Sequence, residues 1–181
     1  MDGTLTVPSI DFAELREVLN ISPEQDLLGV TSSYSEEQKR RHLGIIERYE
    51  QEALKNSRLQ PDVNSVLNAF AAANIKMGVI TRNSVDSAKK VLSLISIEFE
   101  PILTRDFVPV KPDPAPINYI LEYWDLQPKN VLMVGDYRDD LLCGKNAGTS
   151  TCFFSNPEKV SFAELADFTV SSFAELKQMI L

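Results

Sequence analysis

Four short stretches of this 181-residue chain carry residue types that could do chemistry together. In VLMVGDYRDD an apolar run ends at Gly135, and Asp136, Asp139 and Asp140 follow as a helix begins. Asp136 and Asp140 stand about one helical turn apart, so their carboxylates can converge on one cation. Hard oxygen ligands of this kind suit Mg2+, which keeps several waters in its shell. Acids at a helix start are also favoured by the helix dipole alone. The pattern Gly-Asp-x-x-x-Asp directly after a buried run tips the reading towards a metal, with Asp139 as a neighbour. In GVITRN, Thr81 ends a second apolar run, and Arg82, Asn83 and Ser84 lead into a helix. A hydroxyl beside the N–H groups of a helix start makes an anion site, although Thr or Ser there is by itself an ordinary cap. In VPVKPDPAP, prolines stiffen the loop around Lys111. An isolated lysine is usually a solvated surface charge, but one held rigidly beside these acids can balance them and neutralise a phosphate. In MDGTLT, Asp2 precedes a Gly-Thr turn; alone it would be an acid near a terminus.

Three of the four stretches lie at the carboxyl end of a predicted strand, which is where open α/β sheets place ligands. The predicted strands are the apolar runs 75–81, 100–104, 130–136 and 150–154, with 167–170 weaker. They are short, bounded by turn residues and not cleanly alternating, as strands buried on both faces of a parallel sheet are. Between them lie helical periods: Val63, Val66, Leu67, Phe70 and Ala71; Val85, Ala88, Leu92 and Ile95; Ile117, Ile120, Leu121 and Trp124. Trp124 is expected in the core and Tyr119 at its edge. Strand and helix alternate from residue 62 onward, the pattern of a doubly wound α/β domain with a parallel sheet. Residues 8–60 hold no strand signal. DFAELREVLN predicts a short helix and SEEQKRRHLGIIERYEQEALK a longer one, with Leu43, Ile46, Tyr49 and Ala53 as its apolar stripe. This stretch is expected to be a small helical insertion, with the only histidine, His42, on a solvated face. The phrase FAEL recurs after Asp11, Ser161 and Ser172, each time as a helix-start signature.

Composition narrows the function classes. Hydrophobic residues at 44% and charged residues at 24% describe an ordinary globular chain. A net charge of -8 argues against nucleic-acid binding and against docking on anionic membranes. It is compatible with a phosphorylated substrate if a metal or local cations reverse the field at the site. Cys143 and Cys152 are too few for a disulfide framework or zinc cluster and read as reduced core thiols, which points to the cytoplasm. No apolar run approaches the ~20 residues of a membrane span.

Taken in order, the four stretches resemble the motifs of the haloacid dehalogenase-like hydrolases, a superfamily mostly of Mg2+-dependent phosphatases. MDGTL is similar to the first motif, Asp-x-Asp-Gly-Thr-Leu, from its second position on. Thr81 matches the second motif, Lys111 the third, and Gly135, Asp136 and Asp140 the fourth. The resemblance implies a sheet core from 1–7 and 61–181, with a helical cap at 8–60 beside the sheet's carboxyl edge. It further implies hydrolysis of a small phosphomonoester through an aspartyl-phosphate. Asp2 would be the acid/base and lend its backbone carbonyl to Mg2+, Thr81, Arg82 and Lys111 would bind phosphate, and Asp136 and Asp140 would hold the metal. A similarly small cap in phosphoglycolate phosphatase-like members suggests a small phosphorylated metabolite.

One position departs from the pattern. The family's nucleophilic Asp would stand immediately before Met1. The complete protein is therefore expected to carry an Asp there, on an apolar strand lying between the runs 75–81 and 130–136. The 181-residue chain alone is expected to fold poorly and to turn nothing over. The competing expectation is a non-catalytic isoform that binds phosphate, metal or a protein partner. A receiver-like signalling domain, which also gathers acids and a Lys around Mg2+, fits the insertion at 8–60 less well.

Overall fold

The computed structural model describes residues 1–22, 25–156 and 161–181. The chain divides into two compact units, Pro8–Ser57 and a second made of Met1–Val7 with Arg58–Leu181.

In Pro8–Ser57, helix α1 (Phe12–Leu19) starts where the Asp11 carboxylate accepts from the N–H groups of Ala13 and Glu14, and it ends at Asn20 in the left-handed region. A 3-10 turn, Gly29–Ser33, precedes α2 (Glu36–Lys55), whose start is a reciprocal Ser35–Gln38 capping box. The buried row of α2 is His42, Ile46 and Glu50, spaced by four. Leu43, Tyr49 and Ala53 are half-buried at its flank. His42 is thus not on a solvated face. Its Nε2 lies 2.7 Å from the Leu27 carbonyl, and its ring meets Tyr34 edge-on at 5.5 Å. The charges of KRRH hide that position 42 shares a helical row with Ile46.

The larger unit is a layered α/β core. Helix α3 (Val63–Ala72) leads to β1 (Val79–Ile80), α4 (Val85–Leu92), β2 (Ile102–Leu103), α5 (Ala115–Trp124), β3 (Leu132–Gly135), α6 (Arg138–Asn146), β4 (Ser150–Phe154), β5 (Phe168–Val170) and α7 (Phe173–Ile180). Among the described residues all strand pairs are parallel, in two sheets of order β1–β2 and β3–β4–β5. The strands around 79 and 102 are shorter than the apolar runs, but backbone hydrogen bonds extend the pairing from Met77 to Thr81. Successive strand residues serve opposite faces. Val79, Leu132, Val134, Cys152 and Phe154 join a core with Val66, Phe70, Phe173 and Leu176 of α3 and α7. Ile80 and Met133 instead join Ile117, Leu121 and Cys143 of α5 and α6. Apolar side chains on both faces explain why the runs did not alternate.

Three helix readings change. In α4 the inward residues are Ser87, Ala88 and Val91, whereas Val85 is exposed and Ile95 is buried beyond the helix end. Ser84 caps the helix through the Ser87 N–H and so sets its phase. Trp124, expected in the core, is half-buried at the last residue of α5, where its indole N–H donates to the Glu100 carbonyl at 2.8 Å. An indole needs such a polar partner, and a strand-end carbonyl supplies one. Ser172 does cap α7, but SFAEL at 161 forms only a 3-10 turn, Ala163–Leu165. There Phe162 packs edge-on against Phe153 and Tyr137 instead of starting a helix. Cys143 and Cys152 are free and buried, and burial pushes their thiols up to about 12 and about 11. No helix among the described residues is long and apolar enough to cross a membrane.

Candidate active site

The turn after Met1 is fixed first by backbone. The Met1 carbonyl accepts from Leu5 N–H at 2.8 Å, and Gly3 adopts φ +79. A Cβ on Gly3 would stand 2.0 Å from Asp136 Oδ2, so only glycine lets the turn meet that carboxylate. The next residue then bonds it: Thr4 Oγ1 donates to Asp136 Oδ1 at 2.9 Å, both groups buried. Residues 5–7 are held against 58–60, with Val7 N–H donating to Arg58 and Gln60 N–H to Leu5.

Asp2 faces the end of β1. Asn83 Nδ2 donates to Asp2 Oδ2 at 2.6 Å, and Thr6 Oγ1 lies 3.4 Å from Oδ1. The Asn83 backbone N–H donates to the buried Thr81 hydroxyl at 3.2 Å. Asp2 and Thr81, 79 positions apart, thus share one residue as a common support.

Lys111 is buried, unlike an ordinary surface lysine. Its ammonium donates to the Ile80 carbonyl at 3.0 Å and to Asp140 Oδ1 at 2.5 Å. The other Asp140 oxygen accepts from Tyr137 N–H at 3.1 Å. Burial alone would raise the Asp140 carboxyl. The Lys111 ammonium and the hydrogen bonds from Lys111 and the Tyr137 N–H pull the other way, and the carboxyl lies below its ordinary value. A Cβ on Gly135 would fall 2.3 Å from Asp140 Cβ, so the glycine before Asp136 makes room for the next turn's acid. Arg82 pairs with Asp139 at 3.0 Å.

Around the carboxyl ends of β1 and β3, Asn83 thus bonds both Asp2 and Thr81, Lys111 bonds Asp140, and Thr4 of the Asp2 turn bonds Asp136. Two supports, Thr4 and Asn83, were not singled out from the sequence. Each stands within three residues of one that was, in Asp-Gly-Thr and Thr-Arg-Asn. Asp139 is an ion-pair partner of Arg82. Among the described residues no group of three or more His, Cys, Asp or Glu forms a metal-holding cluster.

Residues 4–154 match the family model described as haloacid dehalogenase-like hydrolase. The chain belongs to that family. A haloacid dehalogenase-like hydrolase domain-containing protein of Arabidopsis thaliana is 35% identical over 99% of this chain and 81% of its own. A phosphoglycolate phosphatase of Vibrio vulnificus is 33% identical over 74% of this chain and 61% of its own. Among solved structures, a hydrolase from Pseudomonas syringae covers 98% of this chain and 93% of its own at TM-score 0.80 and 20% identity, which speaks for the fold. A predicted phosphoglycolate phosphatase from Haemophilus somnus covers 82% of this chain and 69% of its own at TM-score 0.70 and 25% identity. In this haloacid dehalogenase-like hydrolase, as in the layered core described above, the polar residues gather where parallel strands end.

Proposed function

We infer that this hydrolase is a Mg2+-dependent phosphatase of small phosphomonoesters that works through an aspartyl-phosphate. The observation that carries the reading is the buried Lys111–Asp140 pair beside Thr81 and Asp136. A lysine buried at a strand end is costly unless it serves an anion. Similarity to the phosphoglycolate phosphatase of Vibrio vulnificus favours a small phosphorylated metabolite as substrate. The core and helical cap are assigned to 1–7 with 61–181 and to 8–60, and the reduced thiols favour the cytoplasm.

The donor set suits Mg2+. Asp136 and Asp140 offer hard oxygens, and a carboxylate oxygen that accepts one hydrogen bond keeps a second lone pair. Asp136, Asp140 and the Asp2 carbonyl would hold the ion, which when bound neutralises phosphoryl oxygens. The chain's own groups do the rest. Thr81 and Lys111 hold the phosphoryl oxygens, with Arg82 beside them. Asp2 gives a proton to the leaving oxygen and later takes one from the attacking water. A nucleophilic aspartate on a strand between β1 and β3 would complete this set. The division of the sheet between those two strands supports that placement.

One observation favours the competing reading of a form that binds without turnover: Asp2, Asp136 and Asp140 each already accept from a neighbour. Assaying phosphoglycolate and other phosphomonoesters with Mg2+, using the 181-residue chain and a form extended before Met1 by an apolar strand ending in Asp, separates the two. Turnover only by the extended protein is expected. Turnover by neither supports the binding form, and turnover by the 181-residue chain, lost in Asp2→Asn, would remove the need for the added aspartate.

A further inference from the structure

The contact between Asn83 and Asp2 is the shortest side-chain hydrogen bond that Asp2 makes, and the assignment of Asp2 as acid/base leaves Asn83 without a role. We propose that Asn83 is the positioning residue of the proton-transfer step: it fixes which oxygen of Asp2 exchanges the proton with the leaving group. The proposal rests on the phosphatase reading given above.

The geometry restricts Asp2 unequally. Oδ2 accepts from Asn83 Nδ2 at 2.6 Å, whereas among the described residues Oδ1 has only the long 3.4 Å contact with Thr6 Oγ1. A donor amide can serve both forms of the acid. It donates to Oδ2 of the carboxylate, and it still donates to Oδ2 as the carbonyl oxygen when Oδ1 carries the proton. The contact therefore survives the whole cycle while Oδ1 gains and loses the proton. In the first half, a carboxylate oxygen of the nucleophile bonds to phosphorus as the bond from phosphorus to the ester oxygen breaks, and the Oδ1 proton moves to that departing oxygen. In the second half, water bonds to phosphorus, its proton passes to Oδ1, and the bond from phosphorus to the nucleophile's oxygen breaks.

Asn83 is well placed to hold this alignment. Its backbone is fixed at both ends, the N–H donating to Thr81 Oγ1 at 3.2 Å and the carbonyl accepting from Arg105 N–H at 3.1 Å. Replacing its side chain leaves those bonds, and with them the placement of Thr81, in reach. The substitution thus separates proton delivery from phosphate binding.

The test uses whichever form turns over in the assay above, with Mg2+, and compares wild type with Asn83→Ala and Asn83→Asp, the latter of similar shape but without the donor. Two esters are used: phosphoglycolate, whose alkoxide must be protonated as it leaves, and p-nitrophenyl phosphate, whose leaving group needs no proton. For phosphoglycolate kcat/KM should fall roughly 10–100-fold in both variants, part of the full worth of acid catalysis. For p-nitrophenyl phosphate it should fall by less than about 3-fold, and the inhibition constant of inorganic phosphate should stay within about 2-fold, because neither depends on proton delivery. Equal losses on the two esters in an active protein would overturn the positioning role alone, as would no loss on phosphoglycolate. A wild type that hydrolyses neither ester would overturn the phosphatase reading, and the proposal with it.

Discussion

The two sheets of the core differ in length and in charge. The β3–β4–β5 sheet pairs Leu132–Gly135 with Ser150–Phe153 and carries Phe153 and Phe154 almost fully buried. The β1–β2 sheet has two paired positions per strand, and Ile102 is 43% exposed. The site is divided along the same line. The β1–β2 side supplies a hydroxyl, an amide and two cations: Thr81, Asn83, Arg82 and Lys111. The β3 side supplies acids: Asp136, Asp139 and Asp140. Backbone ladders do not join the sheets among the described residues. Two ion pairs do, Lys111–Asp140 and Arg82–Asp139, above an apolar cluster that includes Val79 from one sheet and Cys152 from the other. The polar site is therefore part of what holds the halves together, and removing one of its charges should disturb stability as well as chemistry.

The largest effect is expected at the buried pair. Asp140→Asn leaves the Lys111 ammonium buried without its counter-charge and should cost about 3–5 kcal/mol of stability in urea unfolding. Lys111→Met combined with Asp140→Asn should recover much of that loss, because the uncompensated charge goes with its partner. A double variant as unstable as the sum of the single ones would show that the pair does not join the halves in the way described.

Next comes chemistry at Asp136. Under the proposed function, Asp136→Ala should lower Mg2+-dependent turnover by about 100-fold or more. Asp139→Ala should do much less to the metal dependence. Equal losses at both positions in a Mg2+ titration would mean the metal pair was wrongly chosen.

The partly exposed Arg82–Asp139 pair should matter less. Its side chains are 23% and 16% exposed, and Arg82→Ala should change stability by no more than about 1 kcal/mol. A loss as large as that of Asp140→Asn would make the outer pair, and not the buried one, the main polar link between the sheets.

The smallest effect concerns pH and lies within the longer sheet. Hydrogen bonds from the Thr151 backbone N–H and hydroxyl hold the Asp167 carboxyl below its ordinary value. A carboxyl depressed on folding stabilises the fold above its unfolded pKa of about 3.8, and that contribution is lost as pH falls through the lower folded value. Asp167→Asn should therefore lose a small part of the wild-type stability at neutral pH and little below the folded value. An acid-unfolding series that shows the same difference at every pH would rule out the carboxylate's charge as its source.

Much of this was legible in the chain. Alternating apolar runs and helical periods placed five strands and the helices between them, since a parallel sheet covered on both faces demands that order. The four motifs marked Asp2, Thr81, Lys111, Asp136 and Asp140, because each motif is a short run of neighbouring residues and survives in one dimension. Helix phase was less legible. The stripe through Val85 missed Ser87 and Val91, since a short helix takes its phase from its cap and a single apolar residue can sit on either side of the stripe.

Sequence by itself determined where the strands end and which polar residues follow them, because an apolar run and the turn after it are close together in the chain. Tertiary structure alone decided who holds whom. Thr4 with Asp136 spans 132 positions and Asn83 with Asp2 spans 81, and no periodicity links such distant residues. The same holds for His42, whose burial depends on the Leu27 carbonyl and Tyr34 that folding brings to it. A hydrogen bond is set by distance and angle in space, and those become defined only when the packed strands and helices fix both partners at once.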